Sequence, residues 1–286
     1  MDGANHGKLA EGTITDKSAS NLLVLTLNSH KMKKLRLPLL MLLAAFVFTS
    51  CQDEKKTETA QEQNQDERVE EGVVESILTA EEQADMTPQE IIGRLKKGNE
   101  NFVNNNLTQR DHSAQRRKAM IGQYPKAIVL SCVDSRVPVE DVFDLGIGDI
   151  FVARVAGNIE NEDIVGSMEF ATAVAGSKVV IVMGHTACGA VKSAIDQVDA
   201  KSMNMNSLAD LLDEIQPAVE ETELDGERNA KNTEFTNKVI KTNAMRTVEN
   251  IREASPTLAK MENEGKIMIV SAVYDMESGV VDFHNN

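Results

Sequence analysis

Lys126-Ala127-Ile128-Val129-Leu130-Ser131-Cys132-Val133-Asp134-Ser135-Arg136 is the stretch on which the fold turns. Up to Ser131 it is a short, nearly continuous apolar run, which suits a strand buried on both faces; it then breaks into reactive and charged residues. Similar runs recur at Ile150 to Val155 and Val179 to Met183, with helical patterns at Val165 to Val174 and Ala187 to Val198. Strand alternating with helix indicates a parallel sheet wrapped by helices. Upstream, Thr87-Pro88-Gln89-Glu90 is a capping-box signature with Pro at the first helical position. Ile91, Ile92, Leu95, Phe102 and Val103 then share one face, which predicts a helix from about 88 to 105. Downstream, the polar segment from Met203 to Asn232 reads as a helix followed by a mobile loop, and Glu234 to Ala254 as a longer helix. Lys266 to Tyr274 is another buried strand, and Ser278-Gly279 turns the chain into a last one at Val280 to Phe283. The expected class is α/β: a mainly parallel central sheet flanked by helices, with an N-terminal helical arm and an antiparallel C-terminal edge strand.

The 286 residues allow one sizeable domain with appendages. With 3% aromatic residues and no Trp, the core must be filled by aliphatic side chains and Met, and stacking on nucleic-acid bases is a poor prospect. A net charge of -15 argues further against a nucleic-acid partner, because such binding rests on clustered Lys and Arg. The cysteines are Cys51, Cys132 and Cys188, too few for a disulfide-stapled scaffold.

From Met32 the chain runs through Lys33, Lys34 and Arg36 into an apolar stretch from Leu37 to Phe48, then Thr49-Ser50-Cys51. This is the layout of an export signal, and at about 12 residues the apolar stretch is short of the roughly 20 that a spanning helix needs. Its end resembles the lipobox of bacterial lipoproteins, although Phe48 stands where Leu is usual. That resemblance implies lipidation of Cys51 and an exported protein anchored to a membrane, in the periplasm or on the cell surface. Residues before Met32 carry no targeting logic, so Met32 is the expected start. The Glu-, Gln- and Thr-rich stretch that follows has too little apolar surface to order itself. The expected organisation is thus an extension with signal over residues 1–51, a disordered acidic tether over 52–72 and a catalytic domain over 73–286.

Two motifs carry the chemistry, Ser131-Cys132-Val133-Asp134-Ser135-Arg136 and Gly184-His185-Thr186-Ala187-Cys188-Gly189. Each follows a predicted strand, at the edge of a parallel sheet where ligand sites form. Cys132, His185 and Cys188 offer the thiolate and imidazole donors that zinc prefers, and three protein ligands leave a fourth position for water. Plainer readings exist: a buried Cys is often a small hydrophobe, His185 a satisfied polar residue, and Asp134 with Arg136 a loop salt bridge. In an exported protein Cys132 and Cys188 could instead form a disulfide. A disulfide would require neither His185 nor Asp134.

Cys-x-Asp-x-Arg followed roughly fifty residues later by His-x-x-Cys resembles the β-class carbonic anhydrases. The likeness runs from about Thr87 to Phe283 and includes Val152 to Asn158, Ser167 to Ala171 and Val273 to Gly279. It implies a zinc enzyme, a lyase that hydrates carbon dioxide reversibly to bicarbonate and a proton through a zinc-bound hydroxide. By the same resemblance Cys132, His185 and Cys188 are constant zinc ligands. Asp134 either takes the fourth position or, held by Arg136, leaves it to water. Gln123, Phe151 and Gly189 fall where the resemblance places the substrate pocket, and Gly157 and Gly189 where the backbone must approach closely. The resemblance also implies a homodimer or larger assembly, with N-terminal helices embracing the partner. Two rivals share the scaffold: a carbon disulfide or carbonyl sulfide hydrolase, and a non-catalytic zinc-stabilised bicarbonate-binding module with Asp134 locked on the metal.

Overall fold

The computed structural model describes residues 72–224 and 226–284. The expectations about the signal, Cys51 and nearly all of the tether lie outside the described residues. The chain first forms α1 (Ala80–Asp85), α2 (Pro88–Val103) and α3 (His112–Lys118). Thr79 and Thr87 start the first two, each accepting the N–H of a Glu three residues on while that Glu accepts the Thr N–H in return. The alternating part follows: β1 (Ala127–Ser131), α4 (Val139–Val142), β2 (Ile150–Arg154), α5 (Glu162–Glu169), β3 (Val179–His185) and α6 (Gly189–Ile195). Then come α7 (Asn206–Glu221), α8 (Thr233–Ala254), α9 (Pro256–Asn263), β4 (Met268–Tyr274) and β5 (Val281–His284).

Among the described residues one sheet forms, in the order β2-β1-β3-β4-β5. Every pairing is parallel except that of β5 with β4, so the expected class holds. Alternate side chains divide the core. Ala127 and Val129 of β1 pack with Ile91, Leu95, Val139 and Phe143, while Ile128 and Leu130 face Val165, Val248 and Leu258 on the other side. Covered on both faces, β1 and β3 are buried throughout, which is why they read as unbroken apolar runs.

The N-terminal arm is fastened to its own sheet. Ile91 and Leu95 are fully buried there, and Lys178 Nζ donates to the carbonyls of Ala84 and Met86, each at 2.6 Å. Two segments depart from the sequence reading and one keeps to it. Ala187 and Gln197 take left-handed φ values of 59° and 51°, which confines α6 to Gly189–Ile195. The expected helical stretch up to Val174 is present, its last part after α5 wound as a wider π-type helix. The segment after α7 is tied down by Arg228, which donates to the carbonyls of Thr222 and Val219 and covers the Phe235 ring at 4.9 Å. No described helix is long and apolar enough to cross a membrane.

Candidate metal centre

β1 and β3 are direct neighbours, with Ser131 opposite Met183, so the residues after both strands emerge at the same edge of the sheet. One loop brings Cys132 and Asp134, the other His185 and Cys188. The ligand atoms of Cys132, His185 and Cys188 lie within 4.8 Å of one another, and all three residues are buried. Cys188 also opens α6, and Gly189 follows it with nothing within 4 Å of where a Cβ would stand. Open space is thereby kept beside the cluster.

Two features test whether these residues fit a metal. His185 Nδ1 faces the Thr186 carbonyl at 3.0 Å, which assigns its proton there and leaves Nε2 with a lone pair. That Nε2 is buried and has no hydrogen-bond partner. An unsatisfied buried acceptor is costly unless something electrophilic meets it. The second feature is the thiol pair. Hydrogen bonding to Cys188 pulls the Cys132 thiol down, with the Gly157 N–H assisting against burial. The same shared proton, together with burial, pushes Cys188 up. Two sulfurs competing for one proton form a donor set that a dication satisfies by replacing it. A zinc ion with bonds of about 2.0–2.3 Å matches both the donor types and their convergence.

The backbone around the thiols is braced. Gly157 N–H reaches Cys132 Sγ at 3.4 Å from a left-handed conformation, φ +71°, and a Cβ there would stand 2.6 Å from Ile215 Cδ1. Arg154, at the end of β2, donates to the Cys132 carbonyl at 2.8 Å and the Asp134 carbonyl at 2.5 Å. The sequence reading gave Arg154 no role, although it stands within the Val152 to Asn158 block. Ile159 from the loop before α5, with Ile215, Phe235 and Ile240 from α7 and α8, shares one buried cluster with the two cysteines.

Asp134 stands at the rim of the cluster, engaged by Arg136. Its carboxylate accepts Arg136 Nε at 2.9 Å, Nη2 at 2.8 Å and the Arg136 N–H at 3.0 Å. That bidentate grip holds its carboxyl pKa well below the usual carboxylate range. Oδ2 still lies 3.9 Å from His185 Nε2, close enough for a small rotation to matter.

Gln123 and Phe151 do not reach the cluster within one chain. Phe151 pairs with Ile128, four residues before Cys132, a displacement of roughly 13 Å along the strand. It packs instead edge-on against Phe170, with ring centres 6.1 Å apart. Gln123 is exposed at the opposite, amino-terminal end of β1.

The comparisons with known proteins agree with this geometry. The family model described as carbonic anhydrase matches residues 127–281, which takes in the sheet and both motifs. Carbonic anhydrase 2 of Mycobacterium tuberculosis is 31% identical over 188 residues, 65% of this chain and 87% of the relative. The solved β-carbonic anhydrase CcaA superposes with a TM-score of 0.54 at 23% identity, covering 69% of this chain and 94% of that one. One of two tetrameric β-carbonic anhydrases of the ascomycete Sordaria macrospora gives a TM-score of 0.51 at 20% identity, over 61% and 90%. The chain therefore belongs to the carbonic anhydrases, enzymes whose general reaction is the hydration of carbon dioxide, and its fold is that of the β-class.

Proposed function

We propose that this chain hydrates carbon dioxide reversibly to bicarbonate and a proton, using one zinc ion held by Cys132, His185 and Cys188. The observation that carries the reading is the buried, unpartnered Nε2 of His185 beside two thiols, with Asp134 engaged by Arg136. Bound there, zinc supplies the Lewis acidity that brings the pKa of a coordinated water towards about 7. The chain's own residues do the rest. Asp134, ionised by its pairing with Arg136, would accept a hydrogen bond from a water beside the cluster and so orient its lone pair outward. Should Arg136 release it, Asp134 would be free to bind the metal itself and close the site. The apolar side chains of Ile159, Ile215 and Phe235 keep bulk water from the sulfurs, and Gly189 leaves room for a small, linear substrate. The Asp134–Arg136 pairing favours this reading over a bicarbonate-binding module with Asp134 on the metal.

A second copy of the chain completes the pocket in this proposal. Among the described residues β2 is an edge strand, and an unpaired edge invites a partner. Two copies pairing antiparallel at β2 would carry Phe151 and Gln123 of each towards the carboxyl-end site of the other. Phe170, 49% exposed beside Phe151, belongs to the same surface. We further propose export and lipidation at Cys51, on the sequence pattern alone; Cys51→Ser should release the protein from the membrane fraction.

Metal analysis and stopped-flow hydration on one sample test the central claim. About one zinc per chain is expected, with metal and activity both lost in Cys188→Ala. Full hydration activity in wild-type protein freed of metal would overturn it, and carbon disulfide consumption without hydration would redirect it to the hydrolase rival.

A further inference from the structure

The residue between the ligand His185 and the left-handed Ala187 is fixed at two points, by β4 and by the turn that follows it. Thr186 N–H donates to the Tyr274 carbonyl at 3.0 Å. Its Oγ1 accepts the Met276 N–H at 2.9 Å, and Asp275 stands between these two partners in the chain. Asp275 is itself held by the N–H and hydroxyl of Ser278, at 2.8 and 2.7 Å. The Thr186 carbonyl in turn faces His185 Nδ1 at 3.0 Å. A continuous chain of hydrogen bonds thus runs from the turn after β4 to the imidazole ring. Ala187, next along, has φ 59°, a conformation that non-glycine residues adopt at a cost and that needs support from its surroundings.

From this network we infer that Thr186 is a positioning residue for the metal. Its hydroxyl locks the peptide whose carbonyl sets the His185 tautomer and ring plane, so that Nε2 is presented to the ion. The inference rests on the zinc reading above and adds to it: β4 and the turn at Asp275–Ser278, which contribute no ligand, set how tightly the ion is held. Thr186→Val keeps the shape and removes the hydroxyl, leaving the Met276 N–H without its acceptor. Outer-shell partners of ligating histidines usually change metal affinity by about 10- to 100-fold when removed.

Zinc dissociation constants from competition with a chromophoric chelator, measured on the full chain, provide the test. Unfolding of the metal-free proteins serves as the fold control. Thr186→Val should bind zinc at least 10-fold more weakly than wild type, and Thr186→Ser, which restores a hydroxyl, should bind within about 3-fold of wild type. A Val variant within about 3-fold of wild type, or a Ser variant as weak as Val, would overturn the inference while leaving the metal site standing. If the Val variant does not fold, Asp275→Ala decides: weaker zinc binding supports the chain of bonds, and unchanged binding refutes it. A wild-type chain that takes up no zinc overturns the metal reading and this inference together.

Discussion

Gly157 shows how much one residue can be asked to do beside a metal centre. Its N–H serves the Cys132 sulfur, its carbonyl accepts Asn243 Nδ2 at 2.8 Å, and its left-handed backbone leaves no room for a Cβ against the buried Ile215. Gly157→Ala should cost about 2 kcal/mol or more of stability, through backbone strain and the displaced Ile215, read by denaturant unfolding. Asp144 allows a cleaner electrostatic test. Its carboxylate accepts Asn101 Nδ2, Thr108 N–H and Oγ1, and Arg110 Nη1, at 2.8, 3.0, 2.7 and 2.6 Å. Burial pushes this carboxyl up, but those donors outweigh it and hold it below its ordinary value. A depressed folded value means stability that is present above the unfolded pKa and lost as pH falls through the folded one. Asp144→Asn tolerates the φ of 50° and should lose about 3 kcal/mol at neutral pH, a deficit that shrinks below about pH 4 as the wild-type carboxyl protonates.

Among the elements, those with strong local signals were legible from the chain itself. Thr87 and Glu90 fix where α2 begins, and the apolar stripe along α2 fixes the face it buries. The same signature at Thr79 and Glu82 starts α1, and Ser255-Pro256 starts α9, yet both helices escaped the sequence reading because they are too short to show a period. The end of α7 shows the opposite situation. Its last carbonyls are satisfied by Arg228, beyond the helix, and nothing in the local pattern marks that arginine. Arg228→Met keeps the apolar stem over Phe235 but removes the donors. We expect a loss of about 1–2 kcal/mol and faster hydrogen exchange in the last turn of α7.

For the whole molecule, the open edge at β2 and the position of Phe151 point the same way. Phe151 lies too far along the sheet to serve the cluster of its own chain, and antiparallel pairing of two edges would bring it to the other. Phe170→Glu, which places a charge on a half-exposed ring position, should shift the protein towards monomer in sedimentation and lower hydration activity. Zinc content should stay unchanged, because no ligand is touched. A dimer that persists, or activity that survives in the monomer, would count against a shared pocket.

Strand runs, the 88–103 helix and the two motifs were determined by the sequence, because burial on both faces, helix caps and soft metal donors each demand particular residues at short spacing. Tertiary structure decided what no short spacing encodes. It placed β1 beside β3, so that His185 and the two cysteines meet; it engaged Arg136 with Asp134, Arg154 with the loop carbonyls and Thr186 with the turn after β4. It also left Gln123 and Phe151 away from the cluster of their own chain. Convergence of distant segments depends on strand order and register, which follow from packing of the whole core rather than from any one stretch of chain.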